Sequence, residues 1–187
     1  MRRLSRIRVC RGCCLSNSPG KSDYVAFNIR SPEPLRSDHS VTAFESGEPS
    51  LDDWLKKRAL TNQSTGASRT FVACDPERTV FGYYALAAGA VSHSDSTSVV
   101  RRNMPDPVPV LILARLAVDQ RAQGLKLGGA LQKDALFRAV QVSQQAGVRA
   151  LLVHALHDRA KNFYEHYGFQ SSPIQPMTLM LRLDKIT

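Results

Sequence analysis

The stretch that decides the fold is Gln120-Arg-Ala-Gln-Gly-Leu-Lys-Leu-Gly-Gly129. It follows an apolar, strand-like run, Val108-Pro-Val-Leu-Ile-Leu-Ala-Arg-Leu-Ala-Val118. It leads into a helical stripe of Leu127, Leu131, Ala135, Ala139 and Val142 that ends near Gly147. A strand, a glycine-bearing loop and a helix start, in that order, leave several backbone N–H groups unpaired at the positive end of a helix dipole. Such a place binds phosphate. Gly124 and Gly128 let the backbone approach a ligand closely because no Cβ intervenes, and the same two residues would also serve simply to close a tight turn.

Working outward, Ser50-Leu-Asp-Asp53 fits a capping box after Pro49, with Leu51, Trp54, Leu55 and Ala59 on one helical face. That pattern predicts a helix to Gln63 that stops near Gly66. Arg69–Cys74, a turn over 75–79 and Val80–Leu86 read as a hairpin, and residues 92–107, rich in Ser, Asp and Pro, as a surface loop. Downstream, Val148–His154 reads as a strand, Asp158 as the cap of a short helix through His166, and Met177–Leu183 as a last strand. Helix, hairpin, strand, helix, strand, helix, strand makes an α+β sandwich with a mixed sheet.

The chain has 187 residues, which suits one domain of about 150 residues and a tail. No apolar run reaches the roughly 20 residues a membrane helix needs, and the first twenty lack the apolar stretch of a secretory signal. Cys10, Cys13 and Cys14 are bunched and Cys74 stands alone in a strand. This is no disulfide framework, and it favours a reducing cytosol. Cys10-x-x-Cys13-Cys14 lacks a second ligand pair at zinc-site spacing, so no metal is expected. Of the net charge of +9, residues 1–36 carry +6 and residues 37–187 carry +3. The basic bias therefore belongs mostly to the N-terminal segment and is poor evidence that the folded part binds nucleic acid. Residues 1–32, Arg/Ser-rich and without periodicity, read as a basic extension, with 33–187 as the folded domain; an organellar transit peptide or an upstream start codon would leave the same signature.

A second motif lies at Ala160-Lys-Asn-Phe-Tyr-Glu-His-Tyr-Gly-Phe169. Together with Arg121-Ala-Gln-Gly-Leu-Lys126 it resembles the GNAT superfamily of acyl-CoA-dependent N-acetyltransferases. The resemblance implies a mixed, mostly antiparallel sheet flanked by helices and splayed at the fourth strand. It also implies acetyl-CoA as the acetyl donor, its pyrophosphate on amides from Gln123 through Gly124, Lys126, Leu127, Gly128 and Gly129. The acetyl carbonyl would meet a backbone N–H near Ala117–Val118. Two residues depart from the pattern: Lys126 stands where Gly or Ala is expected, and His157 where Asn is frequent. Lys126 would either crowd the phosphates or add a charge partner to them; His157 would either bond the cofactor's amide arm or lie on the surface.

Tyr164 is the residue expected to carry catalysis. Acyl transfer from a thioester expels a thiolate whose parent thiol has a pKa of about 8.5, and a phenol near about 10 is a suitable proton donor to it. The alternative is that Phe163, Tyr164, Tyr167 and Phe169 are core aromatics. Helical spacing puts Phe163 and Tyr167 on one face and turns Tyr164 elsewhere. Residues 108–118 contain no carboxylate, whereas many lysine and polyamine acetyltransferases place a general base there. A lysine amine titrates at about 10.4 and an α-amine at about 7.7–8.0, a difference of about 3.4 kcal/mol in deprotonation. The missing base thus fits an α-amine acceptor.

A closer likeness runs from Glu33 to the C-terminus. Glu33-Pro-Leu-Arg-Ser-Asp-His39, Phe44-Glu-Ser-Gly47, Leu51-Asp-Asp-Trp-Leu55, Gly82-Tyr-Tyr-Ala-Leu86 and Leu113-Ala-Arg-Leu-Ala-Val-Asp119 look like GNAT toxins of toxin–antitoxin operons. Those toxins acetylate the α-amine of aminoacyl-tRNA, stop translation in the cytoplasm, are neutralised by a ribbon–helix–helix antitoxin, and in many cases form homodimers. The likeness makes Lys56, Lys57, Arg58, Arg69, Arg101, Arg102 and Arg115 candidates for tRNA contacts, against the plainer reading of a solvated helix face for 56–58 and a buried structural arginine for Arg115. Two other readings stay open: a GNAT enzyme acting on a protein or small-molecule amine, and a catalytically silent acyl-CoA-binding module.

Overall fold

The computed structural model describes residues 28–185; Cys10, Cys13, Cys14 and most of the basic extension lie outside them. Seven strands form one sheet: β1 (Glu33–Pro34), β2 (Arg69–Cys74), β3 (Val80–Val91), β4 (Val108–Val118), β5 (Ala150–His154), β6 (Gln170–Ser171) and β7 (Thr178–Arg182). Their order is β1-β2-β3-β4-β5-β7-β6. Every neighbouring pair is antiparallel except β4 and β5. The helices are α1 (Pro49–Lys57), α2 (Ala59–Thr65), α3 (Ser98–Arg101), α4 (Leu127–Gln145) and α5 (Asp158–His166).

Successive side chains of β3 serve opposite faces, as strand geometry requires. Tyr84 joins the core under α4 with Leu131, Ala135 and Ala139, while Tyr83 joins the core under α1 and α2 with Leu51, Leu55 and Ala59. Asp134 and Arg138 pin α4 to the sheet: Asp134 accepts from the Tyr84 hydroxyl and pairs with Arg138, whose guanidinium lies 4.0 Å over the Phe71 ring.

Two features of β4 open the site. Ala85 faces Arg115 but Leu86 faces Leu113, so Ala114 is an extra residue, a bulge. The parallel pairing with β5 then ends at Leu113 and Val153. The last five residues of β4 are held by β3 alone, and the sheet splays there as the resemblance implied.

Several local expectations are corrected. The cap of α1 is Glu48, not Ser50, because Pro49 takes the first helical position, where a missing N–H does no harm. Asp52 instead turns back to accept from the N–H and hydroxyl of Ser46, at 3.0 and 2.6 Å. The expected single helix to Gln63 breaks at Arg58, whose φ of −123° is not helical, and Gly66 closes α2 in the left-handed region. Residues 92–107 include α3. Val142, expected in the core stripe, is exposed and lines a surface cleft with Ala67, Ala87 and Ala88. Gln132 is buried on that helix instead. The cap of α5 is His157, whose Nδ1 accepts from the Ala160 N–H at 3.1 Å, and Asp158 is the first helical residue.

Candidate active site

The splay of β4 leads into a cleft of about 960 Å³. Leu116, Ala117 and Val118 line it, with the loop before α1 (Ser46, Gly47, Glu48), the loop and first turn of α4 (Gln123 to Gly129, with Lys133 beyond) and α5 (His157 to Tyr167).

The α4 end begins at Asp119, which is 1 % exposed. Its carboxylate accepts from the Arg121 N–H and guanidinium at 3.0, 2.7 and 2.8 Å, and from the Glu45 N–H at 3.1 Å. Burial works to raise its pKa, but these hydrogen bonds outweigh it and hold the carboxyl below its ordinary value. The Gln120 N–H donates to the Glu45 carbonyl, and the Gln123 amide donates to Ser46 O and Val118 O at 2.8 and 3.1 Å. The loop is therefore fixed on both sides, and Gln123 is already engaged as a brace.

After it, Gly124 (φ 81°) and Lys126 (φ 62°) both take left-handed backbone. The first bond into α4 runs from the Ala130 N–H to the Lys126 carbonyl. The N–H groups of Gly124, Lys126, Leu127, Gly128 and Gly129 donate to no acceptor among the described residues. This row at a helix N-terminus fits a diphosphate. Gly128 lies beside Val118 and Phe163, and Gly129 faces the Tyr167 hydroxyl so closely that a Cβ would collide with it.

On β4, the Asp119 N–H donates to Phe81 O. Antiparallel alternation then gives Ala117 to Tyr83 and turns the N–H groups of Leu116 and Val118 toward the open side. Of the two residues expected to bear the carbonyl donor, Val118 offers it and Ala117 does not.

Tyr164 lines the cleft and is 6 % exposed, its ring against Phe163 and Phe169 at centroid distances of 5.2 and 5.5 Å. Burial pushes its phenol above the ordinary value, and its hydroxyl has no hydrogen-bond partner among the described residues. Phe163 and Tyr167 pack together at 5.1 Å, yet they line the cleft as well, so α5 turns all three rings to it. His157, besides capping α5, brings Nε2 to 3.4 Å from Glu48 across the cleft.

The basic candidates divide. Lys56, Lys57 and Arg58 are exposed at the end of α1, Lys57 paired with Asp53 at 3.0 Å. Arg69 donates to Gln63 O at 2.7 Å. Arg115 is half-buried, 5.6 Å over the Trp54 ring. Arg101 and Arg102 stand at the opposite end of β4, where Val100 packs near Val91 and Val108, and are not brought near the cleft. Sequence reasoning missed Lys133 and Arg159, which line the cleft and form no ion pair among the described residues; the signal was Lys133 at seven residues, two helical turns, beyond Lys126. Elsewhere, Glu33, His39 and Cys74 bring possible metal-ligand atoms within 4.8 Å of one another, but Glu33 is already held by His39 Nε2 at 2.8 Å and Arg78 at 3.2 Å.

Comparison with known proteins supplies the frame for this geometry. The family model described as acetyltransferase (GNAT) domain matches residues 66–171. The tRNA-acetylating toxin of Mycobacterium tuberculosis (strain ATCC 25618 / H37Rv) is 55 % identical over 150 residues, 80 % of this chain and 90 % of that one. Among solved structures, AtaT complexed with acetyl-methionyl-tRNAfMet superposes with a TM-score of 0.77 at 26 % identity, over 83 % of this chain and 95 % of that one. A mutant AtaT toxin bound to the C-terminus of the antitoxin AtaR and acetyl-CoA gives a TM-score of 0.72 at 26 % identity, over 83 % and 94 %.

Proposed function

This chain belongs to the GNAT acetyltransferase family, and on that premise we propose that it is a toxin that moves an acetyl group from acetyl-CoA to the α-amine of aminoacyl-tRNA and so blocks translation. The observation that carries this reading is the row of unengaged N–H groups from Gly124 to Gly129, at one end of a cleft whose other wall holds Tyr164. The 55 % identity to a tRNA-acetylating toxin directs the choice of acceptor.

The donor supplies an activated thioester; the chain binds, orients and shields it. The amides of the α4 start take the diphosphate, with Lys126 as an added charge. The Val118 N–H, on the unpaired side of β4, polarises the acetyl carbonyl. The Tyr164 hydroxyl gives its proton to the departing sulfur. Burial raises the phenol, which keeps it protonated until the thiolate leaves. Among the described residues Glu48 is the one carboxylate lining the cleft, with His157 Nε2 3.4 Å away, which fits an amine that arrives already largely neutral. Acetylation removes the nucleophile of peptide-bond formation.

Two further elements belong to this reading: cytoplasmic action, where charged tRNA is found, and an antitoxin protein as partner, as AtaT has in AtaR. Among the described residues no helix is long and apolar enough to cross a membrane. The test is incubation with labelled acetyl-CoA and, separately, total charged tRNA or total protein. Label on the aminoacyl group of charged tRNA is expected; label confined to protein or small amines would overturn the acceptor.

A further inference from the structure

We infer that Arg115, set over the Trp54 ring, is the stacking group for the terminal nucleobase of the acceptor's 3′ end. This deepens the proposed function and rests on its acceptor being charged tRNA.

The bulge is the starting point. Before it, Leu111 and Leu113 face the α4 core; after it, Leu116 and Val118 do. The extra residue, Ala114, thus reverses the phase of the strand, and Arg115 comes to the α1 face with Ala117. Without the bulge its guanidinium would enter the apolar core under α4. On the α1 face it ends a column of rings. Phe44 meets Tyr83 edge-on at 5.5 Å, Tyr83 stacks on Trp54 at 5.9 Å and 11°, and the Arg115 guanidinium lies over the Trp54 ring at 5.6 Å. Tyr83 is fully buried and its hydroxyl donates to Leu51 O at 2.8 Å, which anchors the column.

Arg115 has no carboxylate partner among the described residues, and its one hydrogen bond, at 2.6 Å, goes to the neighbouring Ala114 carbonyl. A half-buried guanidinium without a counter-ion among the described residues, set against an indole, is a surface for a ligand that is both π-faced and anionic. Unpaired bases of single-stranded RNA ends stack on such planes. Position agrees with this. Arg115 lies three residues before Val118, about 10 Å along the strand, and in an aminoacyl ester of the terminal nucleoside the base lies one ribose away from the reacting amine. Lys56 and Lys57 follow Trp54 in the last turn of α1, with Arg58 as its C-cap, and offer exposed positive charge for the preceding phosphates.

The test compares two acceptors with the full-length protein and acetyl-CoA: a 3′-aminoacylamido adenosine and the methyl ester of the same amino acid. Wild-type protein is expected to favour the nucleoside in kcat/KM by tenfold or more. Arg115→Gln is expected to lower that preference at least tenfold, Trp54→Leu to lower it similarly by removing the ring beside the guanidinium, and Arg115→Lys, which keeps charge but not planarity, to lower it as well. A preference absent in wild type, or unchanged in the variants, overturns the inference, and a general folding defect would reduce both acceptors alike. If wild-type protein acetylates neither acceptor nor charged tRNA, the proposed function itself fails with it.

Discussion

The Tyr167 hydroxyl lies 2.2 Å from the point a Cβ on Gly129 would occupy. The first turn of α4 thus meets the C-cap of α5 at Gly129, beside the approach of Gly128 to Phe163, where the amide row and the aromatic wall of the cleft come together. Gly129→Ala is expected to push the Tyr167 ring, weaken acetyl-CoA binding about tenfold and destabilise the fold by about 1–3 kcal/mol, the usual range for overpacking. Adding Tyr167→Phe removes the colliding oxygen. The double variant should recover part of both losses in calorimetry and thermal melts, and strictly additive losses would show that the two residues do not meet.

Lys126 holds left-handed backbone, a state that disfavours side chains by about 1–2 kcal/mol. Lys126→Gly should therefore raise the melting temperature by about 2–4 °C for a domain of this size. It should also weaken acetyl-CoA binding about threefold or more, because a charge partner of the phosphates is lost. A large gain in affinity would instead identify the lysine as an obstruction.

Asp119 carries a pH signature. Its pKa is below the ordinary value in the folded state because Arg121 and the Glu45 N–H satisfy the charged form. Its stabilisation is present above the unfolded carboxyl pKa of about 3.9 and is lost as pH falls through the folded value. At pH 7, Asp119→Asn should lose about 1.5–3 kcal/mol, the range for charge-assisted hydrogen bonds. The gap to wild type should shrink in denaturant melts below about pH 4; a gap that persists in acid would contradict the assignment.

The pH–rate profile should rise through the α-amine pKa, about 7.7–8.0, and then stay level. Burial keeps the Tyr164 phenol protonated beyond its usual range, so no falling limb from it is expected below about pH 10. A decline between pH 8 and 10 with an intact fold would assign the proton donor elsewhere.

What the sequence disclosed was local. The run into Val118, the loop to Gly129 and the hairpin around 75–79 follow from periodicity and turn residues, and the elements lie where those signals put them. Caps were harder: Pro49 decided α1 over the better-looking Ser50, and His157 served as a cap that Asp158 would have supplied as readily. The resemblance implied a bulged, splayed fourth strand, but the bulge's position at Ala114 had no local signal, since no glycine marks it and its evidence is the register with β3. For the same reason the sequence left Arg115 open between a tRNA contact and a buried strand arginine, and placed Trp54 only on the apolar face of α1. The separation of Arg101 and Arg102 from the cleft depends on where α3 docks, a tertiary fact that no charge pattern reports.

On the proposed reading, Tyr164 protonates the leaving sulfur while charged tRNA supplies the amine. The most direct measurement is the single-turnover rate of N-acetyl-aminoacyl-tRNA formation by wild type and Tyr164→Phe, at saturating acetyl-CoA. The account predicts a fall of about 10²- to 10⁴-fold, the range for a general acid, with acetyl-CoA binding retained. A variant that acetylates charged tRNA at the wild-type rate would contradict it.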